Sequence, residues 1–258
     1  MALYTRTEDG WMPSELTIGP WDPRHQHGGP PAGLLVREAE HYEGGDAFVI
    51  ARVTLELLAP VPLTSLRTQI EPIKLGRTVQ RLRVRLLSRE RILVDGTVLR
   101  IARSAGPASN PLPLQPWPLP ESCGRFEFPF FGTESGYHKA VELRIAHGAW
   151  GRTPIGMWAR TSVPLVDGEA ISPLQSLLVL ADAQSGMGAP VDPLQFSYVN
   201  PDLTVYLQRR PEPRDGWFGF DIRSYSGSHG SGLAQSSIRD AAGEVGRSAQ
   251  SLVIRARQ

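Results

Sequence analysis

Two histidines, His25 and His27, stand directly before the run Gly28-Gly29-Pro30-Pro31. Imidazole titrates near neutral pH, so both are candidates for acid–base work, although histidines in such a place more often line a loop. Unpaired amides and about half a positive charge gather where a helix starts, and glycine lets a ligand oxygen come close to the backbone. Gly28 and Gly29 are therefore candidate donors to an oxyanion, with a simple turn as the alternative. Asp182 ends an apolar stretch containing Leu177, Leu178 and Leu180. A carboxylate at a helix C-terminus opposes the macrodipole by about 0.3–1 kcal/mol, a misfit that a functional role would explain; an exposed, idle Asp is the other reading. Asn200 precedes Pro201 and could shape a turn, and Gln250 lies in an otherwise apolar strand, Ala249 to Ile254, facing either solvent or a cleft. The single cysteine, Cys123, cannot form an internal disulfide and has no obvious base nearby, and no Cys/His spacing suits zinc. Ser226 to Gly232 matches neither a phosphate loop nor a Gly-x-Ser-x-Gly elbow, so His229 makes no triad there.

The elements that must position these residues follow from periodicity. Pro30 to His41 reads as a helix, with its prolines in the first turn, Leu34, Leu35 and Ala39 on one face and Gly44-Gly45 at its end. Strand candidates follow at Ala47–Leu58, Ser65–Ile73, Thr78–Leu87 and Ile92–Ile101. Between Gly106 and Phe131 seven prolines, including Pro107, Pro111 and Pro113, exclude a regular helix or central strand, so 106–131 is expected to be a linker between modules at 1–105 and 132–258. Past it lie strand candidates Ala140–Ala146 and Gly156–Ser162. A helix from Pro173 through Ala183, capped by Ser172, precedes strands Gln195–Leu207, Trp217–Tyr225, Leu233–Asp240 and Val245–Ala256. Leu55–Pro62 corresponds loosely to Val205–Pro213, and Val98–Arg103 to Leu252–Arg257. A duplicated helix-plus-sheet unit explains the shared order, each sheet burying its concave face on its helix. Pairing the two edge to edge would cover strands that each unit would otherwise expose.

Composition narrows the function. A chain with 41% hydrophobic and 21% charged residues has ample material for a core. A net charge of +1 without a Lys/Arg run speaks against nucleic acid as a partner. No stretch approaches a membrane span, and Met1 to Pro20 lacks a basic segment followed by an apolar run, which predicts a cytoplasmic protein.

At Gln26-His27-Gly28-Gly29-Pro30-Pro31-Ala32, Leu180-Ala181-Asp182-Ala183-Gln184 and Ala249-Gln250-Ser251-Leu252-Val253 the sequence resembles the TesB-like acyl-CoA thioesterases, and the resemblance spans nearly the whole chain. It implies an α+β fold of two tandem hotdog modules, each an antiparallel sheet around a central helix, paired as a double hotdog. It also implies metal-independent hydrolysis of acyl-CoA to free fatty acid and CoA, with no cofactor. In that family an Asp late in the second central helix, a Thr or similar polar residue on the next strand and a Gln on the last strand hold the attacking water. Asp182 and Gln250 match; the middle place falls on Asn200, or on Thr204 if the alignment shifts. Trp11, Trp21, Trp150 and Trp158 suit either core packing or the wall of an acyl tunnel. A non-catalytic acyl-thioester binder is the first alternative. A hydratase or dehydratase ranks below it, since that chemistry wants a His/Asp pair in the cleft and the sequence locates none. Assembly into a homo-oligomer is left open.

Overall fold

The computed structural model describes residues 1–106 and 115–257, so Pro107, Pro111 and Pro113 lie outside the described residues. A hairpin opens the chain, β1 (Tyr4–Thr7) and β2 (Gly10–Pro13), followed by helix α1 (Gly29–His41). Four long strands come next: β3 (Phe48–Leu57), β4 (Arg67–Leu75), β5 (Val79–Ser88) and β6 (Arg91–Ala102). The second half runs through β7 (Gly124–Phe126), α2 (Tyr137–Ala140), β8 (Val141–His147), β9 (Ile155–Thr161), α3 (Pro173–Ala181) and α4 (Gln184–Gly188). It closes with β10 (Phe196–Val199), β11 (Asp202–Leu207), β12 (Phe218–Ser226), β13 (Ser231–Asp240) and β14 (Gly243–Ala256).

Twelve strands form one antiparallel sheet in the order β4-β5-β6-β3-β11-β14-β13-β12-β9-β8-β7, with β10 alongside β14. The architecture is α+β, with helices packed on a large antiparallel sheet, in keeping with a double-hotdog arrangement. The two halves meet where β3 pairs with β11, and Thr54 lies directly opposite Thr204. Those two threonines immediately precede the resembling segments that begin at Leu55 and Val205. A residue paired with its own counterpart marks a pseudo-two-fold axis through the seam. The flanking ladders agree: β6 follows β3 on one side as β14 follows β11 on the other.

Both helices lie against the sheet and against each other. Leu34, Leu35 and Val36 of α1 and Leu177, Leu178, Val179 and Leu180 of α3 are fully buried. Truncating any of these leucines to Ala would cost about 2–5 kcal/mol. The helices approach closely because Gly29 and Gly33 face Val179: a Cβ on Gly29 would strike the Val179 carbonyl oxygen, and one on Gly33 would come within 2.6 Å of the Val179 side chain. α3 starts at a full capping box, the Ser172 hydroxyl accepting from Gln175 N–H and the Gln175 side chain accepting from Ser172 N–H.

Three features differ from the sequence reading. The strand expected over 195–207 is broken at Asn200-Pro201, because Pro201 has no N–H for the ladder. The helix expected through Ala183 ends at Ala181, and the chain turns through Asp182 and Ala183 into α4. The described part of 106–131 is not bare spacer: it supplies the edge strand β7 and an aromatic strap, Phe128 to Phe131, packed over α4.

Candidate active site

A cavity of 360 Å³ opens where the N-terminus of α1, the C-terminus of α3 and the break between β10 and β11 converge. Its polar end is made by His27, Gly28, Asp182 and Asn200. No Lys or Arg is among the residues that line it. Asp22, His25, Gln26 and Ser185 also line it, and the rest of the wall is mainly apolar: Leu57 to Val61 from the end of β3, and Trp21, Phe128, Phe130, Phe131 and Tyr198. The rings form one continuous group, with Trp21 stacked on Phe130 at 5.6 Å and 8° and Phe130 in turn against Phe128, Phe131 and Trp150.

Asp182 is 4% exposed and its carboxylate is held on both sides. Asn200 Nδ2 donates to Oδ1 at 2.7 Å, and His27 Nδ1 lies 3.1 Å from Oδ2. Asn200 can reach because the strand leaves the sheet at this residue; its amide also donates to the Asp202 carbonyl at 3.1 Å, which fixes its plane. The misfit expected of a carboxylate at a helix C-terminus is offset by its surroundings. Gly28, the N-cap of α1, packs so closely that a Cβ there would stand 2.8 Å from Oδ2 and 2.9 Å from Oδ1. The carboxylate therefore sits at the positive end of a 13-residue helix, where negative charge is favoured.

His27 is held by its neighbours. Its ring stacks on Tyr137 at 3.8 Å and 4°, and the Tyr137 hydroxyl donates to the Val179 carbonyl. Burial pushes the imidazole below its ordinary value, with the Asp182 charge opposing that shift. Gly29 N–H donates to Nδ1 at 3.1 Å, the nitrogen that also faces Asp182. With its proton on Nε2 the ring accepts from Gly29; with its proton on Nδ1 it donates to Asp182 instead. Nε2 makes no hydrogen bond to a described residue, and the ring lines the cavity.

The remaining candidates divide between the cavity, where His25 is found, and places outside it. Gln250 is 1% exposed and does not line the cavity; it accepts from Ser185 N–H and donates to the Asp182 carbonyl, both at 3.2 Å. It thus pins the turn that presents Asp182 rather than touching the carboxylate. Thr204 hydrogen-bonds Thr54 at 3.3 Å in the seam, outside the cavity lining. Gly29 N–H is committed to His27, whereas Gly28 lines the cavity. Of the four tryptophans considered, Trp21 lines the cavity and Trp150 backs Phe130, while Trp11 and Trp158 pack elsewhere. Cys123 packs with Trp158 and Trp217, and burial pushes its thiol up. Among the described residues no three His, Cys, Asp or Glu side chains cluster as a metal would require. Sequence reasoning missed the strap and the His27–Asp182 contact. The alternation Phe126-x-Phe128-x-Phe130-Phe131 was the one available signal for the strap.

Fold and site together define a hotdog-type protein whose cavity draws on both halves of the chain. A family model described as the acyl-CoA thioesterase N-terminal domain matches residues 17–101, and one described as the acyl-CoA thioesterase C-terminal domain matches residues 117–254. The chain belongs to the TesB-like acyl-CoA thioesterase family. Among solved structures, a Novosphingobium aromaticivorans protein assigned to the thioesterases is similar over 98% of both chains, with 22% identity and a TM-score of 0.77. A hot dog fold protein of Alicyclobacillus acidocaldarius aligns over 96% of this chain and 93% of its own, at 13% identity and a TM-score of 0.74. The acyl-CoA thioesterase II TesB2 of Mycobacterium marinum aligns over 90% of each chain, at 17% identity and a TM-score of 0.69. No protein of curated function matches the sequence significantly. No helix among the described residues is long and apolar enough to cross a membrane.

Proposed function

We propose that the protein hydrolyses acyl-CoA thioesters to a free acid and CoA, with Asp182 as the base that activates water. The observation that carries this reading is a buried carboxylate at the polar end of an apolar cavity, held by Asn200 and His27, in a chain of this family. The acyl group lies against the aromatic wall. Asp182 takes a proton from water as its oxygen bonds to the thioester carbon, and the new oxyanion is met by Gly28 N–H and by His27 Nε2–H. Collapse breaks the C–S bond. The departing sulfur takes the Nε2 proton while Asp182 passes its own to Nδ1, and exchange with solvent restores the starting tautomer. Asn200 orients the carboxylate, and Gln250 acts as a positioning residue through the Asp182–Ser185 turn.

The test is release of CoA thiol across a panel of acyl-CoA chain lengths by the wild type, Asp182→Asn and Gln250→Ala. Turnover that collapses in Asp182→Asn with folding intact supports the assignment. Binding without wild-type turnover favours a non-catalytic acyl-thioester binder, and full activity in Asp182→Asn removes Asp182 from the mechanism. The His27–Asp182 pair, absent from the sequence reading, favours hydration of an enoyl thioester as a second reading. Loss of enoyl absorbance on incubation with an enoyl-CoA would support it.

A further inference from the structure

The pseudo-two-fold axis that passes between Thr54 and Thr204 relates the cavity above to a second one of equal volume, 360 Å³. Counting four residues back from each threonine reaches Ile50 in the second cavity and Asn200 in the first; three residues forward reach Leu207 and Leu57. Glu40, near the C-terminal end of α1, stands against Ser172, the N-cap of α3, as Asp182 stands against Gly28. The chemistry has not been kept. Ile50 replaces the amide, and the Glu40 oxygens are taken up by the Ser172 hydroxyl and Gln175 Nε2. The carboxylate in the place of Asp182 is thus already engaged by Ser172 and Gln175.

What this cavity has instead is Arg100. It is 1% exposed, and no carboxylate pairs with it among the described residues. Its guanidinium rests on the rings of Tyr42 and Phe48, and donates only to the carbonyls of Tyr42, at 3.5 Å, and Glu43, at 3.0 Å. Those bonds close the C-terminus of α1 but supply no counter-charge, and burial pulls the guanidinium below its ordinary value. A buried cation without an anion is costly, and buried charges are as a rule paired. Around it the wall is Phe48, Val49, Ile50, Leu174 and Leu207. The other charged lining residues, Asp46, Arg210 and Glu212, lie at the exposed rim.

We infer that this second cavity binds a carboxylate carried on an apolar chain, the carboxylate pairing with Arg100 and the chain lying on the Ile50–Leu207 wall. That this ligand is the acid released by the enzyme itself rests on the proposed function; the binding does not. The experiment is calorimetric titration of decanoate into the wild type, Asp182→Asn, Arg100→Gln and Ile50→Phe. Arg100→Gln removes the charge, and Ile50→Phe fills the cavity without touching Arg100, so a folding defect in the first leaves the second to decide. The expected result is saturable binding in the wild type and in Asp182→Asn, weakened at least 10-fold in both cavity variants, with decanol binding at least 10-fold more weakly than decanoate. Binding that survives in a folded Ile50→Phe, decanol equal to decanoate, or no binding of decanoate to the wild type overturns the inference. A protein that binds decanoate in this way yet releases thiol from no acyl-CoA would sink the proposed function alone.

Discussion

Gly28→Ala displaces the Asp182 carboxylate while keeping the Gly28 N–H and both side-chain neighbours of the carboxylate, Asn200 and His27. Gly28 has φ −67° and ψ −19°, which Ala adopts without strain, so the loss of glycine costs nothing in backbone conformation. The added Cβ would lie 2.8 Å from Oδ2, 2.9 Å from Oδ1 and 3.0 Å from Cγ. Ordinary contact begins near 3.4 Å, so the carboxylate must withdraw by about 0.6 Å. It cannot do so freely, being held by Asn200 at 2.7 Å and faced by His27 at 3.1 Å. A misplacement of about 1 Å can cost about 100-fold in rate, so kcat should fall by about 10- to 100-fold. Ala is a poorer N-cap than Gly, which should remove less than about 1 kcal/mol of stability. The assay is thiol release at saturating acyl-CoA, paired with a denaturant titration. A variant that turns over at the wild-type rate would refute the claim that chemistry depends on where this carboxylate stands.

Three further outcomes are expected. Gln250→Leu leaves Ser185 N–H and the Asp182 carbonyl buried without partners, at about 1–3 kcal/mol for each group, so both the unfolding midpoint and kcat should drop while KM moves little. Thr204→Val removes a hydroxyl that meets only Thr54 in the seam, and kcat should stay within about two-fold; a larger fall would bring Thr204 into the site. His27 and His138 are both pushed below the ordinary value of 6.5 by burial, so between the folded and unfolded values the unfolded chain holds more protons. Stability should be complete above about pH 6.5 and decline as the pH falls below it. Denaturant midpoints from pH 8 to 5 should show this slope, shallower in His27→Gln; an unchanged slope would remove His27 as a contributor.

Much of the scaffold was legible because its signals are local. The α1 periodicity, the Ser172 cap and the long strands of each half lie within one or two residues of where hydrophobic spacing puts them. Asp182, Asn200 and Gly28 were likewise readable as local text, and all three line one cavity. What could not be read was which groups face each other across the helices. The charge that opposes the dipole of α3 is met by the N-terminus of α1, a compensation between elements far apart in sequence. The same holds for His27, whose partner Asp182 follows it by more than half the chain, and for Gln250, whose amide oxygen and nitrogen both serve backbone rather than the carboxylate. Pro129, between Phe128 and Phe130, signals irregular backbone, but irregular backbone does not mean idle side chains.

The polar end of the cavity takes His27 and Gly28 from one half of the chain and Asp182 and Asn200 from the other. In a dimer of identical subunits a single sequence would have to encode both half-sites, and each substitution would strike two places at once. Joining the halves in one polypeptide lifts that constraint. Each half answers for only one side of each cavity, so a change that ruins one cavity can leave the other untouched, and the two are free to diverge in what they hold.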